Sequence, residues 1–588
     1  MCYTIRPTHF IRLSLLFTYF GIISVLLLHT ACRQMAQKPI VPHSSARIYG
    51  TLGDSAMVVS AHPEASRVGV AILRKGGNAI DAAIAVQFAL SVVLPAAGNI
   101  GGGGFMVYRA ADGTTDVLDF RETAPAKAHR DMYLDASGNV IPRRSIDGHQ
   151  AVGVPGTVAG AVAAHQKYGV LPWADLVQPA VELAARGFAF PSAREPNALN
   201  AERSQFSRLN TRPCPLVKQS GNWLATDTLR QPELAQTLAR IRDDQAAGFY
   251  EGITADSLVA EMQRGGGIIT HDDLKNYRPV WRKALIGKYK DYELISMPPP
   301  SSGGIALLQL CQLLEKYPLE KWGFHSPEAI HHIVEAERRV YADRATHLGD
   351  PDFYPVPAKG LLDKHYLQGR MADFDPQRAT PSRQITAGKP TTSKESEETT
   401  HLSIIDQWGN AVSVTTTLNG SYGSKVTVGG CGFLLNNEMD DFSAKPGVPN
   451  LYGLVGNEAN AIAPHKRMLS SMTPTIATHN GHLMMVVGTP GGSTIITSVL
   501  QVWLNVVAYQ QTMQEAVAAP RFHHQWLPDT LYVEKGGFGT GLLQTLAKQQ
   551  HHVIERQPIG RVDAILRRPD GKLEGGADPR GDDSAMGY

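Results

Sequence analysis

The sequence contains few cysteines, little net charge and no internal repeats. Five cysteines occur among 588 residues and no CxxC spacing appears, so neither a zinc site nor a disulfide framework is supported. The formal net charge is +2 and the 56 lysines and arginines are scattered along the chain, which gives no reason to expect nucleic acid as a partner. We expect neither a cofactor nor a metal.

The N-terminus has the pattern of an export signal. Two arginines precede an apolar run from Leu13 to Leu28, and this run is shorter than the roughly 20 residues of a transmembrane helix. Cys32 follows small residues, as at a bacterial lipoprotein processing site, although His29 stands where an aliphatic residue is usual. We expect residues 1–31 to be a signal peptide, with export to the periplasm or cell envelope and a lipid anchor at Cys32. Simple cleavage and an uncleaved anchor are the alternatives.

Hydrophobic periodicity predicts helices and strands in both halves of the chain. The helical patterns are Glu64 to Lys75, Asn78 to Leu94, Thr157 to Tyr168, Pro327 to Arg344 and Ile495 to Tyr509. The strand patterns are Phe105 to Tyr108, Leu402 to Asp406, Ala411 to Thr417, Thr475 to Thr478 and Leu483 to Val487. Helices that flank strands in both halves indicate an α/β protein with two sheets covered by helical layers.

A glycine-rich segment, Gly98 to Gly104, precedes the strand that begins at Phe105. A phosphate-binding loop should open a helix and be followed by Gly-Lys-Ser/Thr, which this segment does not do. We therefore expect the glycines to allow close packing of the backbone near a site.

The composition changes sharply at Thr399. Residues 373–398 are polar, with no apolar period, which is typical of an exposed, flexible linker. A β pattern begins at Leu402. If the backbone were cut between Glu398 and Thr399, the new terminal amino group would supply a base for the threonine hydroxyl. Taken alone, these residues fit an ordinary exposed threonine before a strand at least as well.

Several motifs in a fixed order resemble the γ-glutamyltranspeptidase family over nearly the whole chain after the signal. They are Asp119 to Pro125, Pro298 to Gly304, Thr399 to Ser403, Thr415 to Asn419, Leu434 to Phe442, Leu469 to Thr475 and Gly488 to Ser493. The resemblance implies an αββα sandwich of the N-terminal-nucleophile hydrolase type. It also implies self-cleavage at Glu398–Thr399 into a large subunit, 32–398, and a small catalytic subunit, 399–588, which remain together as a heterodimer.

The resemblance further implies a role for individual residues. Thr399 matches the nucleophile, Thr417 the threonine that orients it, and Gly491 and Gly492 the oxyanion hole. Arg121, Ser470 and Ser471 match residues that bind the substrate carboxylate, and Tyr452 matches a lid. Asn419, Glu438 and Asp441 match positions that hold the substrate α-amino group.

The implied activity is that of a γ-glutamyltransferase/glutathione hydrolase, with γ-glutamyl compounds as donors and water, amino acids or dipeptides as acceptors. A cephalosporin (glutaryl) acylase or a γ-polyglutamate hydrolase of the same fold is an alternative, and an uncleaved lipoprotein that only binds amino acids is another. Retention of Arg121, Ser470, Ser471, Glu438 and Asp441 favours a free α-amino acid head and argues against the glutaryl substrate. His523, His524 and Cys431 are interpreted as structural.

Overall fold

Two seven-stranded antiparallel sheets, stacked face to face, form the centre of the fold. A computed structural model describes residues 47–390 and 401–588; the predicted signal peptide, Cys32, Glu398 and Thr399 lie outside these residues. The first sheet runs in spatial order Thr51–Gly53 (β1), Leu573–Gly576 (β18), Asp563–Arg567 (β17), His482–Gly488 (β13), Thr475–His479 (β12), Tyr292–Ser296 (β9) and Leu285–Tyr289 (β8). The second runs Ser584–Gly587 (β19), Met57–Ser60 (β2), His401–Ile405 (β10), Ala411–Thr417 (β11), Gly103–Arg109 (β3), Thr115–Asp119 (β4) and Val280–Arg282 (β7).

Alternation along the strands divides the apolar side chains between two faces of each sheet. In β3, Phe105 and Val107 face the other sheet, where they share a core with Ile476 and Val486. Met106, between them in sequence, instead packs against helices on the outer face. The same alternation recurs in both sheets, so the layers are helix, sheet, sheet and helix, and the predicted αββα sandwich is confirmed.

Seventeen α-helices among the described residues form the outer layers and their connections. Those of the large N-terminal part are Pro63–Arg74 (α1), Ala79–Val93 (α2), Thr157–Tyr168 (α3), Trp173–Arg186 (α4), Arg194–Leu209 (α5), Pro232–Asp244 (α6), Ala247–Tyr250 (α7), Gly252–Gly265 (α8), His271–Asn276 (α9), Gly303–Leu314 (α10), Leu319–Trp322 (α11), Pro327–His347 (α12), Ala358–Leu361 (α13) and Lys364–Arg370 (α14). After residue 400 come Ile495–Val507 (α15), Met513–Ala518 (α16) and Thr540–Lys548 (α17).

Short elements complete the structure. Phe522–His523 (β14), Leu531–Glu534 (β15) and Val553–Arg556 (β16) form a three-stranded sheet, and Phe188–Ala189 (β5) pairs with Thr228–Leu229 (β6). Turns of 3₁₀ helix occur at His149–Ala151, Ser382–Gln384, Glu438–Asp441, Glu458–Asn460 and Gly492–Thr494. Across the described ranges, no helix combines the length and apolar character needed to cross a membrane.

The predicted elements agree closely with the observed ones. The predicted helix at 157–168 has the predicted ends, and α2 begins after Asn78, whose side chain and that of Asp81 form a capping box. The predicted hairpin is β10 and β11. The strands β8 and β9 were not among the predicted strands.

The segment 373–390 differs from the exposed linker expected there. Ala379, Ser382 and Ile385 are buried, and the Ser382 hydroxyl accepts a hydrogen bond from Arg338 Nη1 at 2.7 Å. The Thr380 hydroxyl donates to Glu335 at 2.7 Å. Its polar residues therefore satisfy buried charges on α12, a role that composition does not reveal. Residues 391–398 lie outside the described part of the chain.

The glycine segment before β3 packs closely against neighbouring backbone, as expected. A Cβ atom added at Gly102 would lie 1.8 Å from the carbonyl oxygen of Thr417, and one at Gly101 would lie 2.2 Å from that of Leu434. These contacts hold the glycine segment against the end of β11, where Thr417 lies.

Substitution of Gly102 tests this packing. We expect Gly102→Ala to lower the free energy of unfolding by about 1–3 kcal/mol, because a backbone carbonyl cannot move aside as a side-chain end can. Gly369→Ala is the matched control, since a Cβ there meets nothing within 4 Å and alanine favours a helix by about 1 kcal/mol. Thermal denaturation should show a lower midpoint for Gly102→Ala only; equal midpoints would contradict the packing argument.

Candidate functional site

A stripe of polar residues lies between the two sheets at the centre of the hairpin β10–β11. The Ser403 hydroxyl donates to the carbonyl of Asp563 at 3.1 Å, across the gap between the sheets. His401 Nε2 lies 2.9 Å from that hydroxyl and must donate to it, so Nδ1 accepts from Thr415 Oγ1 at 3.1 Å. Burial lowers the pKa of His401 to about 3, so this imidazole is neutral and structural near neutral pH.

Thr417 ends β11 at the edge of this stripe. Its side chain is buried, and its Oγ1 accepts a hydrogen bond from the backbone N–H of Asn419 at 2.5 Å. Asn419 has a positive φ of 68°, and its side-chain amide donates to the carbonyl of Asn437 at 3.0 Å. The Asn419 Oδ1 atom is buried and accepts no hydrogen bond from the described residues. It is therefore available to a donor such as an ammonium group.

Arg121 is the centre of a buried ionic cluster. It follows β4, and its backbone N–H donates to Asp119 Oδ1 at 3.0 Å. Its guanidinium is fully buried; Nη1 donates to Glu438, and Nη2 donates to Asp441 at 2.6 Å. Burial alone would lower the pKa of Arg121, but the Glu438 and Asp441 carboxylates outweigh this and raise it. Arg121 is therefore a permanent buried cation beside two acidic groups.

Glu122 belongs to the same cluster and was not predicted as a site residue. Its carboxyl is fully buried, 3.7 Å from Arg121 Nη1, and neither oxygen accepts a hydrogen bond from another described residue. Burial raises the pKa of Glu122 to about 8, although Arg121 opposes the shift. Its place directly after Arg121 was the available signal, but an Arg-Glu pair in a sequence more often indicates a surface ion pair.

Ser470 and Ser471 directly follow a backbone segment that Arg121 contacts. The guanidinium reaches the backbone of this segment, with Nη2 donating to the carbonyl of Leu469 at 3.4 Å. Both serines are fully buried. The Ser470 hydroxyl accepts from the N–H of Met472 at 3.3 Å, whereas the Ser471 hydroxyl has no partner among the described residues. The buried guanidinium thus contacts the backbone of Leu469, two residues before a buried hydroxyl that has no hydrogen-bond partner among the described residues.

The Gly491–Gly492 turn lies between β13 and α15. Both glycines have positive φ, 140° and 57°, which side chains rarely adopt. Within the described ranges, nothing accepts from the backbone N–H of either glycine. The turn therefore presents two free N–H donors, the chemistry that an oxyanion hole requires.

Tyr452 connects this turn to Asn419. Its hydroxyl donates to the carbonyl of Asn419 at 2.8 Å, and its ring lies over Gly492, where an added Cβ would be 2.4 Å from Cδ1. The tyrosine thus covers the gap between the end of the hairpin and the glycine turn, as a lid would.

The structure therefore unites the predicted residues in two linked groups. Arg121, Glu438, Asp441 and the serine segment form one, and Thr417, Asn419, Tyr452 and Gly492 form the other; the Asn419 amide bond to Asn437, next to Glu438, joins them. The cleavage position, Glu398–Thr399, lies outside the described residues. Cys431 is buried, with its sulfur 3.5 Å from Arg240, and no cluster of three or more metal-ligating side chains occurs in the described ranges.

Comparison with known proteins places this chain in a family. A family model described as Gamma-glutamyltranspeptidase matches residues 65–588. A glutathione hydrolase proenzyme of Escherichia coli (strain K12) is 45% identical over 571 residues, covering 96% of this chain and 98% of that protein. The crystal structure of a cephalosporin acylase from Bacillus halodurans covers 94% of this chain and 99% of its own, with 25% identity and a TM-score of 0.82.

A second solved structure, Helicobacter pylori gamma-glutamyltranspeptidase, is 44% identical, with a TM-score of 0.55, and covers 56% of this chain and 94% of its own. The family that the sequence motifs indicated is therefore confirmed over nearly the whole chain, and the αββα sandwich is one that solved members share. On the family match and the identity over almost its full length, this chain belongs to the gamma-glutamyltranspeptidase family.

Proposed function

We propose that this protein is a γ-glutamyltransferase/glutathione hydrolase that acts through a covalent γ-glutamyl-threonine intermediate. The observation that carries the proposal is the buried cluster of Arg121, Glu438 and Asp441. The free end of a γ-glutamyl group has one carboxylate and one ammonium, so its pocket must offer both signs of charge at short range. A buried guanidinium between two acids meets that requirement.

The same cluster argues against a glutaryl substrate. A glutaryl group has the carboxylate but lacks the α-amino group, so it would offer no donor to the buried Asn419 Oδ1 atom. A buried polar atom that is left without a hydrogen bond lowers the free energy of binding. The similarity to a cephalosporin acylase therefore supports a shared fold and acyl chemistry, and the pocket favours a free amino acid head.

The nucleophile in this proposal is Thr399. The resemblance to the family assigns Thr417 to orienting the nucleophile. Thr417 ends β11, the strand that pairs with β10, and β10 begins at His401, two residues after Thr399 in the sequence. Relatives named as proenzymes support cleavage at Glu398–Thr399, which gives subunits 32–398 and 399–588 held together as a heterodimer.

The chemistry is an acyl transfer in two steps. The Thr399 hydroxyl attacks the γ-carbonyl carbon, its proton passes to its own α-amino group, and the oxyanion accepts from the N–H groups of Gly491 and Gly492. The C–N bond then breaks as the leaving amine takes that proton. Water or an amine acceptor attacks the resulting ester by the reverse sequence. An α-amino group with a pKa of about 7.7–8.0 is suited to both transfers near neutral pH.

Export is part of the proposal, supported by the N-terminal sequence alone. Residues 1–31 would direct the chain to the periplasm or cell envelope, and Cys32 would carry the lipid. The mass of the mature N-terminal peptide distinguishes lipidation from simple cleavage.

Cleavage before Thr399 can be tested directly on the purified protein. Wild type should separate into two polypeptides on a denaturing gel, the smaller one beginning Thr-Thr-His-Leu, whereas Thr399→Ala should stay a single inactive chain. Thr400→Ala is the matched control and should still be cleaved, because its hydroxyl is not the one that attacks. A single chain in the wild type, or an active Thr399→Ala variant, would exclude this mechanism.

The role of Arg121 is tested with two donors that differ in one group. Arg121→Ala should lower kcat/KM for γ-glutamyl-4-nitroanilide by about 30-fold or more, equivalent to about 2 kcal/mol for an unpaired buried carboxylate. The matched donor is 4-aminobutyryl-4-nitroanilide, which lacks the α-carboxylate and should be affected little. An equal loss with both donors would mean that Arg121 supports the fold and does not bind the carboxylate.

A further inference from the structure

A buried glutamine holds the main chain of the lid. Gln525 Nε2 donates to the carbonyl of Tyr452 at 3.2 Å and to that of Leu527 at 3.2 Å. The Gln525 side chain also lies beside the lid backbone, since a Cβ added at Gly453 would be 3.3 Å from Nε2. Tyr452 is therefore held at both ends, by its hydroxyl on Asn419 and by its carbonyl on Gln525.

The orientation of this glutamine is fixed by hydrogen-bond chemistry. Because its two carbonyl partners can only accept, the atom facing them must be the amide nitrogen, and Oε1 must face the other way. Oε1 lies 2.9 Å from His523 Nε2, so this imidazole nitrogen carries a proton. Burial lowers the pKa of His523 to about 3; the ring is therefore neutral near pH 7, and Nδ1 is an acceptor.

His523 also contacts the helix that follows the glycine turn. Its Nδ1 lies 2.9 Å from the hydroxyl of Thr497, in the first turn of α15. That hydroxyl has one proton and two acceptors within reach, Nδ1 and the carbonyl of Thr494 at 3.0 Å. The His523 ring packs edge-on against Tyr341 at 5.7 Å, and the Tyr341 hydroxyl donates to the carbonyl of Ser493 at 2.5 Å. The same buried imidazole thus contacts the lid through its hydrogen bond to Gln525. It also contacts the segment after Gly492 through Thr497 and Tyr341.

We propose that Gln525, oriented by His523, is a positioning residue that fixes the Tyr452 lid over the Gly491–Gly492 turn and so sets how the acyl-enzyme divides between water and an amine acceptor. The inference rests on the proposed function, because it needs an acyl-enzyme. A lid held at both ends limits the entry of water. If the carbonyl of Tyr452 loses its donor, this side of the lid is less firmly held, although Leu451 N–H still donates to Asp440 at 2.8 Å, and water gains access to the ester.

Two substitutions separate this role from a general loss of folding. Gln525→Glu has nearly the same shape and still accepts from His523, but it cannot donate to Tyr452 when ionised at pH 8. Gln525→Leu removes both bonds. Gln309→Leu is the matched control, because Gln309 is buried and donates to a carbonyl, that of Leu361 at 2.9 Å, away from the lid.

The measurement is the ratio of hydrolysis to transfer with γ-glutamyl-4-nitroanilide as donor and glycylglycine as acceptor. Both Gln525 variants should raise this ratio at least threefold, and Gln309→Leu should leave it unchanged. In a Tyr452→Ala background, where the lid is already lost, Gln525→Glu should cause no further change. A purely structural role would not produce this dependence on Tyr452.

The possible outcomes are distinct. If the wild type releases nitroaniline and both Gln525 variants keep its ratio, the inference is wrong and the proposed function stands. The inference is also wrong if Gln525→Glu changes the ratio equally with and without Tyr452. If correctly folded wild type releases no nitroaniline at all, the proposed function fails and the inference fails with it.

Discussion

The ion cluster of Arg121 with Glu438 and Asp441 is the constraint on which the rest of the site depends. A guanidinium in the interior is strongly unfavourable without acidic partners, and removing one partner of a buried pair typically costs about 3–5 kcal/mol. The cluster is assembled from distant parts of the chain, since Arg121 follows β4 and the acids lie on the 3₁₀ turn at Glu438–Asp441. Forming it therefore brings the residues before and after the proposed cleavage site together.

The surrounding structure explains how such a polar centre is tolerated. Inward-facing positions of β10 and β11 carry serine, threonine and histidine, and the hydroxyls of Ser403 and Ser413 donate to carbonyls of the other sheet. Farther from the centre, the inter-sheet space is filled by apolar side chains. The polar stripe ends at Thr417, beside Asn419 and the lid. Hydrogen bonding thus replaces apolar packing only where the proposed chemistry requires polar groups.

Much of the fold was predictable because it depends on local patterns. The helix from Thr157 to Tyr168 and the hairpin β10–β11 have strong periodicity and clear turn residues, and the structure has both. The hairpin β8–β9 was missed because it lies within a largely helical stretch. The segment 373–390 has a polar composition that suits an exposed linker, yet its polar groups pair with buried charges on α12.

The site was predictable only through its resemblance to a family. Considered alone, Arg121-Glu122 fits a surface ion pair and Glu438–Asp441 fits a solvated turn, because burial of a charge depends on partners far away in sequence. Gln525 gave no local signal, and the only signal for Glu122 was its place after Arg121; the surroundings of both residues appear only in the folded chain. Sequence spacing can identify residue types, whereas tertiary contacts decide which of them become a pocket.

The most direct test of the central claim is a calorimetric titration of the purified protein with L-glutamate, glutarate and 4-aminobutyrate in turn. All three ligands keep the γ-carboxylate and the two methylene groups next to it, but the α-carbon carries both a carboxylate and an ammonium in glutamate, only a carboxylate in glutarate and only an ammonium in 4-aminobutyrate. If the Arg121 cluster binds a free amino acid head, glutamate should bind at least tenfold more tightly than either of the others, which is about 1.4 kcal/mol or more. Equal affinity for glutarate and glutamate would contradict this account of the pocket.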